Sequence, residues 1–110
     1  MTKIIKFKDE YFDPIVNGFK TQTMRLPNKR IDVNPGEQVI GVFKNKQDVL
    51  LKIRKTGYKY FKSINDYDAQ LEGFDSADEL KKELLEIYKD YHIIDNNRFY
   101  YYRFEFLGVL

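Results

Sequence analysis

Residues 18–25 read Gly18-Phe19-Lys20-Thr21-Gln22-Thr23-Met24-Arg25. An amine, two hydroxyls and a guanidinium follow a glycine within eight residues. Glycine takes a left-handed conformation without penalty and so ends helices. Upstream, Phe12, Ile15, Val16 and Phe19 recur at i, i+3, i+4 and i+7, one face of a helix. Downstream, Thr21–Arg25 has strand character. The stretch is therefore expected to be a helix-to-strand junction. In an ideal strand Thr21, Thr23 and Arg25 share one face and Lys20 points to the other.

Working outward, Lys3–Phe7 reads as a short strand, and Asp9 can cap the helix that runs to about Asn17. Pro14 fits the first helical position if the regular part starts near Asp13. After a loop over Leu26–Arg30, Asn34-Pro35-Gly36 is a tight turn. Gln38–Phe43 and Val49–Tyr58 read as a hairpin, with Val49, Leu51 and Ile53 on one face. Residues 61–75 read as a connection. Ser76-Ala77-Asp78-Glu79 has capping-box form, and Leu80, Leu84, Ile87, Tyr88 and Tyr91 form the stripe of the helix it opens. His92, beside that stripe, is expected to be structural. Arg98–Phe106 closes the sequence as an aromatic strand, with Tyr100, Tyr102, Phe104 and Phe106 on one face. Many strands and two main helices in one domain over residues 1–110 predict an α+β fold. Its expected form is a small β-barrel of five to six strands with the helices packed on it.

Composition narrows the function classes. The 110 residues carry 19 Lys and Arg against 17 Asp and Glu, so bulk charge does not imply nucleic-acid binding. The charge is nevertheless segmented. Lys44–Lys62 holds seven basic residues and one acid, whereas Asp66–Glu86 holds eight acids and two lysines. There is no Cys, which excludes disulfides, zinc-thiolate sites and thiol nucleophiles. The single His92 has no second His or Cys with which to share a metal. No apolar run approaches the roughly 20 residues of a membrane span, and lysines interrupt the N-terminus where a secretory core would lie. A cytoplasmic monomer is expected, with no membrane partner, no metal and no organic cofactor.

The arrangement as a whole resembles the ASCH domain family, related to PUA-like β-barrels. The resemblance spans about residues 4–107. It rests on Gly18-x-Lys20-x-x-x-x-Arg25 at a helix end, the Pro35-Gly36 turn, Glu72-Gly73-Phe74 before a polar helix start, and the aromatic last strand. The family pattern is Gly-x-Lys-x-x-Glu-x-Arg, and Thr23 stands here at the Glu position. Small bacterial members that hydrolyse N4-acetylcytidine carry Lys-Thr-x-Thr-x-Arg instead, as Lys20–Arg25 does. The resemblance implies Lys20, Thr23 and Glu72 as catalytic residues, with Asp68 and Asp75 as alternatives to Glu72. Gly18, Thr21 and Arg25 are then expected to contact substrate.

Removing an acyl group from the exocyclic amine of cytosine needs a nucleophile, a base, oxyanion stabilisation and an acid for the leaving amine. Thr23 can supply the hydroxyl. A lysine can act as base only when neutral, whereas a free one titrates near about 10.4. Arg25 can bind an oxyanion or a phosphate. Two rival readings remain: an RNA-binding module of the PUA-like kind, and a nuclease for single-stranded RNA. The basic segment 44–62 and Lys29-Arg30 favour these, because a free nucleoside carries no phosphate. Among Tyr100, Tyr101 and Tyr102, alternation sends one or two into the core.

Overall fold

The chain's first strand skips its neighbour in sequence and pairs with a strand more than thirty residues later. The computed structural model describes residues 2–110. Five strands form one sheet: β1 (Lys3–Lys6), β2 (Gln22–Arg25), β3 (Gln38–Val42), β4 (Val49–Tyr60) and β5 (Arg98–Val109). Their spatial order is β1-β3-β4-β5-β2. β1 runs parallel to β3, and the other pairings are antiparallel. The helices are α1 (Phe12–Val16), α2 (Asp66–Glu72) and α3 (Ala77–Ile87).

Both faces of the sheet are covered, because β5 is aromatic on both. On one face Tyr102 and Phe104 pack with Ile5, Phe7, Val39, Leu51, Ile53 and Ile15 of α1. On the other, Phe99 and Tyr101 pack with Met24 and with Ala69, Leu80 and Leu84 of α2 and α3. The alternation expected for β4 and β5 holds, and two register shifts, at Leu50/Leu51 and Ile53/Lys55, bend the long β4. Gly57 of β4 faces Tyr101 of β5, and a Cβ there would lie 2.5 Å from the Tyr101 hydroxyl.

The α+β class and the strand number agree with the sequence reading, but the sheet does not close into a barrel. Its edges, β1 and β2, share no ladder. A side chain spans the gap instead: the Arg25 guanidinium donates to the Lys6 carbonyl. Lys6–Lys8 and Thr23–Arg25 face each other across a cleft where closing hydrogen bonds would run.

Residues 61–75 contain a helix rather than a plain connection. Asn65 caps α2 by accepting from the Asp68 amide, and the Asp68 side chain returns the bond to the Asn65 amide. Gly73 ends it at φ 90. This capping box and terminal glycine were present in the sequence. The first helix is shorter than expected: a 3-10 turn, Asp9–Tyr11, precedes a regular part of five residues, and Gly18 follows at φ 80. On α3 the stripe is buried at Leu80, Leu84 and Tyr88, whereas Ile87 and Tyr91 are exposed. His92 is also exposed, so it has no structural role in the core. It lies in the turn after α3, beyond the reach of the stripe.

Candidate functional site

Lys20 sits between Gly18 and β2, where the chain is held on two sides. The Thr21 amide donates to the Leu71 carbonyl of α2 at 2.7 Å, and the Thr21 carbonyl accepts from the Phe104 amide of β5 at 2.9 Å. Gly73, just past α2, lies against Phe19 and Lys20. These backbone ties press Lys20 onto the last turn of α2. There its ammonium donates to Glu72 Oε1 at 3.1 Å. Both residues are almost fully buried, at 2% and 4% exposure.

The pair has further partners. The Lys20 ammonium lies 4.6 Å from the centroid of the Tyr11 ring, a cation–π contact. Tyr11 in turn donates its hydroxyl to Glu83 of α3. Gln22 shares the strand face of Lys20 and is itself fully buried. Its Oε1 accepts from Arg103 Nε at 2.8 Å. Gln22 Nε2 and Glu72 Oε2 are both buried without a protein hydrogen-bond partner. One helical turn before Glu72, Asp68 is fully buried and accepts from the Lys59 ammonium at 2.7 Å. Two carboxylates thus lie at i and i+4 on α2, each with its own lysine.

Burial dominates the proton affinity of Glu72 and pushes its carboxyl above the usual range. The Lys20 charge and hydrogen bond pull it back, as does the Gln22 amide, while the Asp68 charge adds to the rise. The Tyr11 phenol is pushed far up by burial and by its bond to Glu83. Arg25 is moved down by burial, against the opposing pull of Tyr88 and Glu72.

Beside this pair opens the cleft between the sheet edges, with a volume of about 330 Å³. That is at the small end of ligand pockets. Thr23 and Arg25 line it from β2, Lys6, Phe7 and Lys8 from the other edge, Tyr11 from the turn before α1, and Glu86, Ile87 and Tyr88 from the end of α3. Thr23 is buried. Tyr11 joins the two halves, since its ring forms part of the cleft wall and also carries the Lys20 ammonium.

The sequence-predicted residues therefore separate into three groups. Lys20 and Glu72 meet in a buried pair, and Thr23 and Arg25 line the adjoining cleft. Gly18 is exposed and does not line the cleft, and the half-buried Thr21 uses its backbone to join β2 to α2. Of the alternatives to Glu72, Asp68 is engaged by Lys59 and Asp75 is exposed. Tyr11, Gln22 and Tyr88 were not read as site residues from the sequence. Gln22 had a legible signal, its place two residues after Lys20 on the same strand face. Tyr11 had none, because the 3-10 turn that aims it breaks the helical period.

No protein-family model and no curated protein sequence matches the chain. Solved structures do. A DUF984-family protein of Enterococcus faecalis V583 superposes with a TM-score of 0.79 at 17% identity, over 99% of this chain and 78% of that one. The ASCH domain from Lactobacillus crispatus JV V101 superposes with a TM-score of 0.76 at 13% identity, over 94% and 79%. The fold is that of an ASCH domain. An ASCH protein of Zymomonas mobilis shares it more distantly, with a TM-score of 0.62 at 10% identity over 97% and 71%. Within this ASCH fold, the open edge of the sheet is where Thr23, Arg25 and the Lys20–Glu72 pair gather.

Proposed function

We propose that the protein is an amidohydrolase that removes the acetyl group from N4-acetylcytidine or a related N4-acylcytosine nucleoside. The observation that carries this reading is the buried Lys20–Glu72 hydrogen bond beside a cleft lined by Thr23. Keeping an amine and a carboxyl together in a dry site costs several kcal/mol in desolvation, more than an ordinary structural contact needs. A carboxyl perturbed by burial, next to a cleft, is usual equipment for proton transfer.

In the proposed sequence, a proton passes from Lys20 to Glu72 along their hydrogen bond. Burial assists this by favouring the protonated carboxyl. The neutral amine accepts the Thr23 hydroxyl proton as the oxygen attacks the acetyl carbonyl. The tetrahedral oxyanion that forms faces the guanidinium of Arg25. As the C–N bond breaks, the exocyclic nitrogen takes the proton that Lys20 received from Thr23 and leaves as the cytosine amine. Water, activated by the same pair, then hydrolyses the acetyl ester on Thr23. The balance is N4-acetylcytidine plus water giving cytidine plus acetate. No cofactor or metal enters this scheme, and the species that acts is a monomer.

The test is incubation with N4-acetylcytidine, with cytidine followed by chromatography. Turnover is expected in the wild type and is expected to vanish in Lys20→Ala and Glu72→Ala with folding intact. Thr23→Ser is expected to keep activity and Thr23→Val to abolish it. Absence of cytidine with folded wild-type protein removes the hydrolase reading.

A further inference from the structure

Gln22 takes no part in the steps above, yet its side chain is fully buried and acts on the Glu72 carboxyl. It stands on β2 directly opposite Arg103 of β5. Arg103 is gripped in turn. Its guanidinium lies 5.4 Å from the Tyr67 ring of α2 and 5.0 Å from the Tyr101 ring of β5. A guanidinium can only donate. The 2.8 Å bond from Arg103 Nε therefore has to fall on the amide oxygen, Gln22 Oε1. That fixes which way round the amide sits and leaves its nitrogen for another acceptor.

Two buried carboxylate oxygens lack a donor among the described residues. Lys20 takes Glu72 Oε1 and leaves Oε2 unpartnered, and Asp68 Oδ1 is unpartnered too. Asp68 is the better served acid, since its other oxygen accepts from Lys59 and from the Asn65 amide. Gln22 Nε2 is the matching donor, buried and without an acceptor. Of the two acids, Glu72 is the one that the Gln22 amide draws towards its charged form.

We propose that Gln22 is a positioning residue: Arg103 fixes its amide, and Gln22 Nε2 serves Glu72 Oε2, so that the carboxylate is held with Oε1 on Lys20. This role deepens the hydrolase reading of the pair and rests on it. A donor on the carboxylate favours its charged form against the pull of burial. Glu72 must begin each cycle charged if it is to take the proton from Lys20. Lys20 and Asp68 also bear on this carboxyl, and Tyr11, Arg25 and Tyr88 sense its charge. Unlike these, Gln22 does not titrate, so its effect is the same at every pH.

The test is carbon-13 NMR of the Glu72 carboxyl over pH 4–9, with kcat and KM for N4-acetylcytidine measured over the same range. Gln22→Met should raise the Glu72 midpoint by about one pH unit or more. The acid limb of kcat should move up with it, while KM stays as in the wild type, because Gln22 does not line the cleft. Gln22→Met leaves Arg103 without its acceptor, so a double variant with Arg103→Met removes both partners and guards the fold. Its Glu72 midpoint should match that of Gln22→Met alone, since Arg103 acts through the amide. The role is overturned if the midpoint in both variants equals that of the wild type, if Asp68 shifts in place of Glu72, or if Arg103→Met adds a further shift of similar size. Wild-type protein that yields no cytidine, with the midpoint still raised in Gln22→Met, would remove the hydrolase reading while supporting the hold of Gln22 on Glu72.

Discussion

Substituting Lys20 by Met should make the protein's stability depend on pH in a way that reports directly on Glu72. The wild-type ammonium pulls the buried carboxyl back towards its ordinary range. Without it, burial and the Asp68 charge meet less opposition, and the carboxyl is expected to hold its proton to higher pH in the fold. In the unfolded chain it titrates at its ordinary value of 4.5. Below that value both states carry the proton and there is no penalty. Above it the unfolded state sheds the proton and the folded state does not. A raised folded pKa therefore stabilises at low pH and loses that contribution as pH rises. The slope is about 1.36 kcal/mol for each pH unit. At pH 7 the loss is at most about 3 kcal/mol, and at pH 5 under about 1 kcal/mol. In the wild type the same term is smaller, because Lys20 opposes it. The assay is urea unfolding of both proteins at pH 5, 6 and 7. With an m-value of about 1.5 kcal/mol/M, the midpoint of the variant should fall behind that of the wild type by up to about 2 M at pH 7. Removing the buried amine also adds a constant offset, so the slope is the diagnostic. A gap that stays constant from pH 5 to 7 would refute the reasoning.

The double substitution Lys20→Met with Glu72→Leu should regain most of the stability lost in the single variant, because two apolar groups replace a buried pair. It should also lose the pH slope and all turnover of N4-acetylcytidine, checked by the same urea series and by chromatography. Gly57→Ala should destabilise by about 1–3 kcal/mol, since the added methyl meets the Tyr101 ring, measured as a fall in the thermal midpoint. Asn65→Ala removes the cap of α2 and should cost about 1 kcal/mol in urea unfolding.

Much of this was legible in the sequence, and the rest was hidden for identifiable reasons. The strands announced themselves because β4 and β5 alternate cleanly, and α3 because Ser76 opens a strong apolar period. The helix α2 was missed because its stripe is short and two of its buried positions, Asp68 and Glu72, are charged. A hydrophobic-period reading passes over a helix whose inward face carries carboxylates. By charge alone those acids merged into the acidic segment Asp66–Glu86. Closure of the sheet was overestimated, since no sequence pattern says whether β1 and β2 meet through backbone or through Arg25. Within Gly18–Arg25, strand alternation put Thr23 and Arg25 on one face, and both line the cleft. What it could not supply was the Tyr11 ring, which carries the Lys20 ammonium and forms part of the cleft wall.

The pairing of β2 with β5 sets the order in which the molecule can become functional. Thr23 is registered opposite Tyr102, and Met24 opposite Tyr101. Only the β3–β4 pairing is local, while β1–β3 and β4–β5 join segments tens of residues apart. A topology so dominated by distant contacts belongs among the slower folders, on the millisecond-to-second scale. During synthesis the stretch with Lys20 and Thr23 leaves the ribosome well before the strand that seats it. The candidate site can therefore take shape only after residues 98–109 have emerged, and the nascent protein should be inert until then.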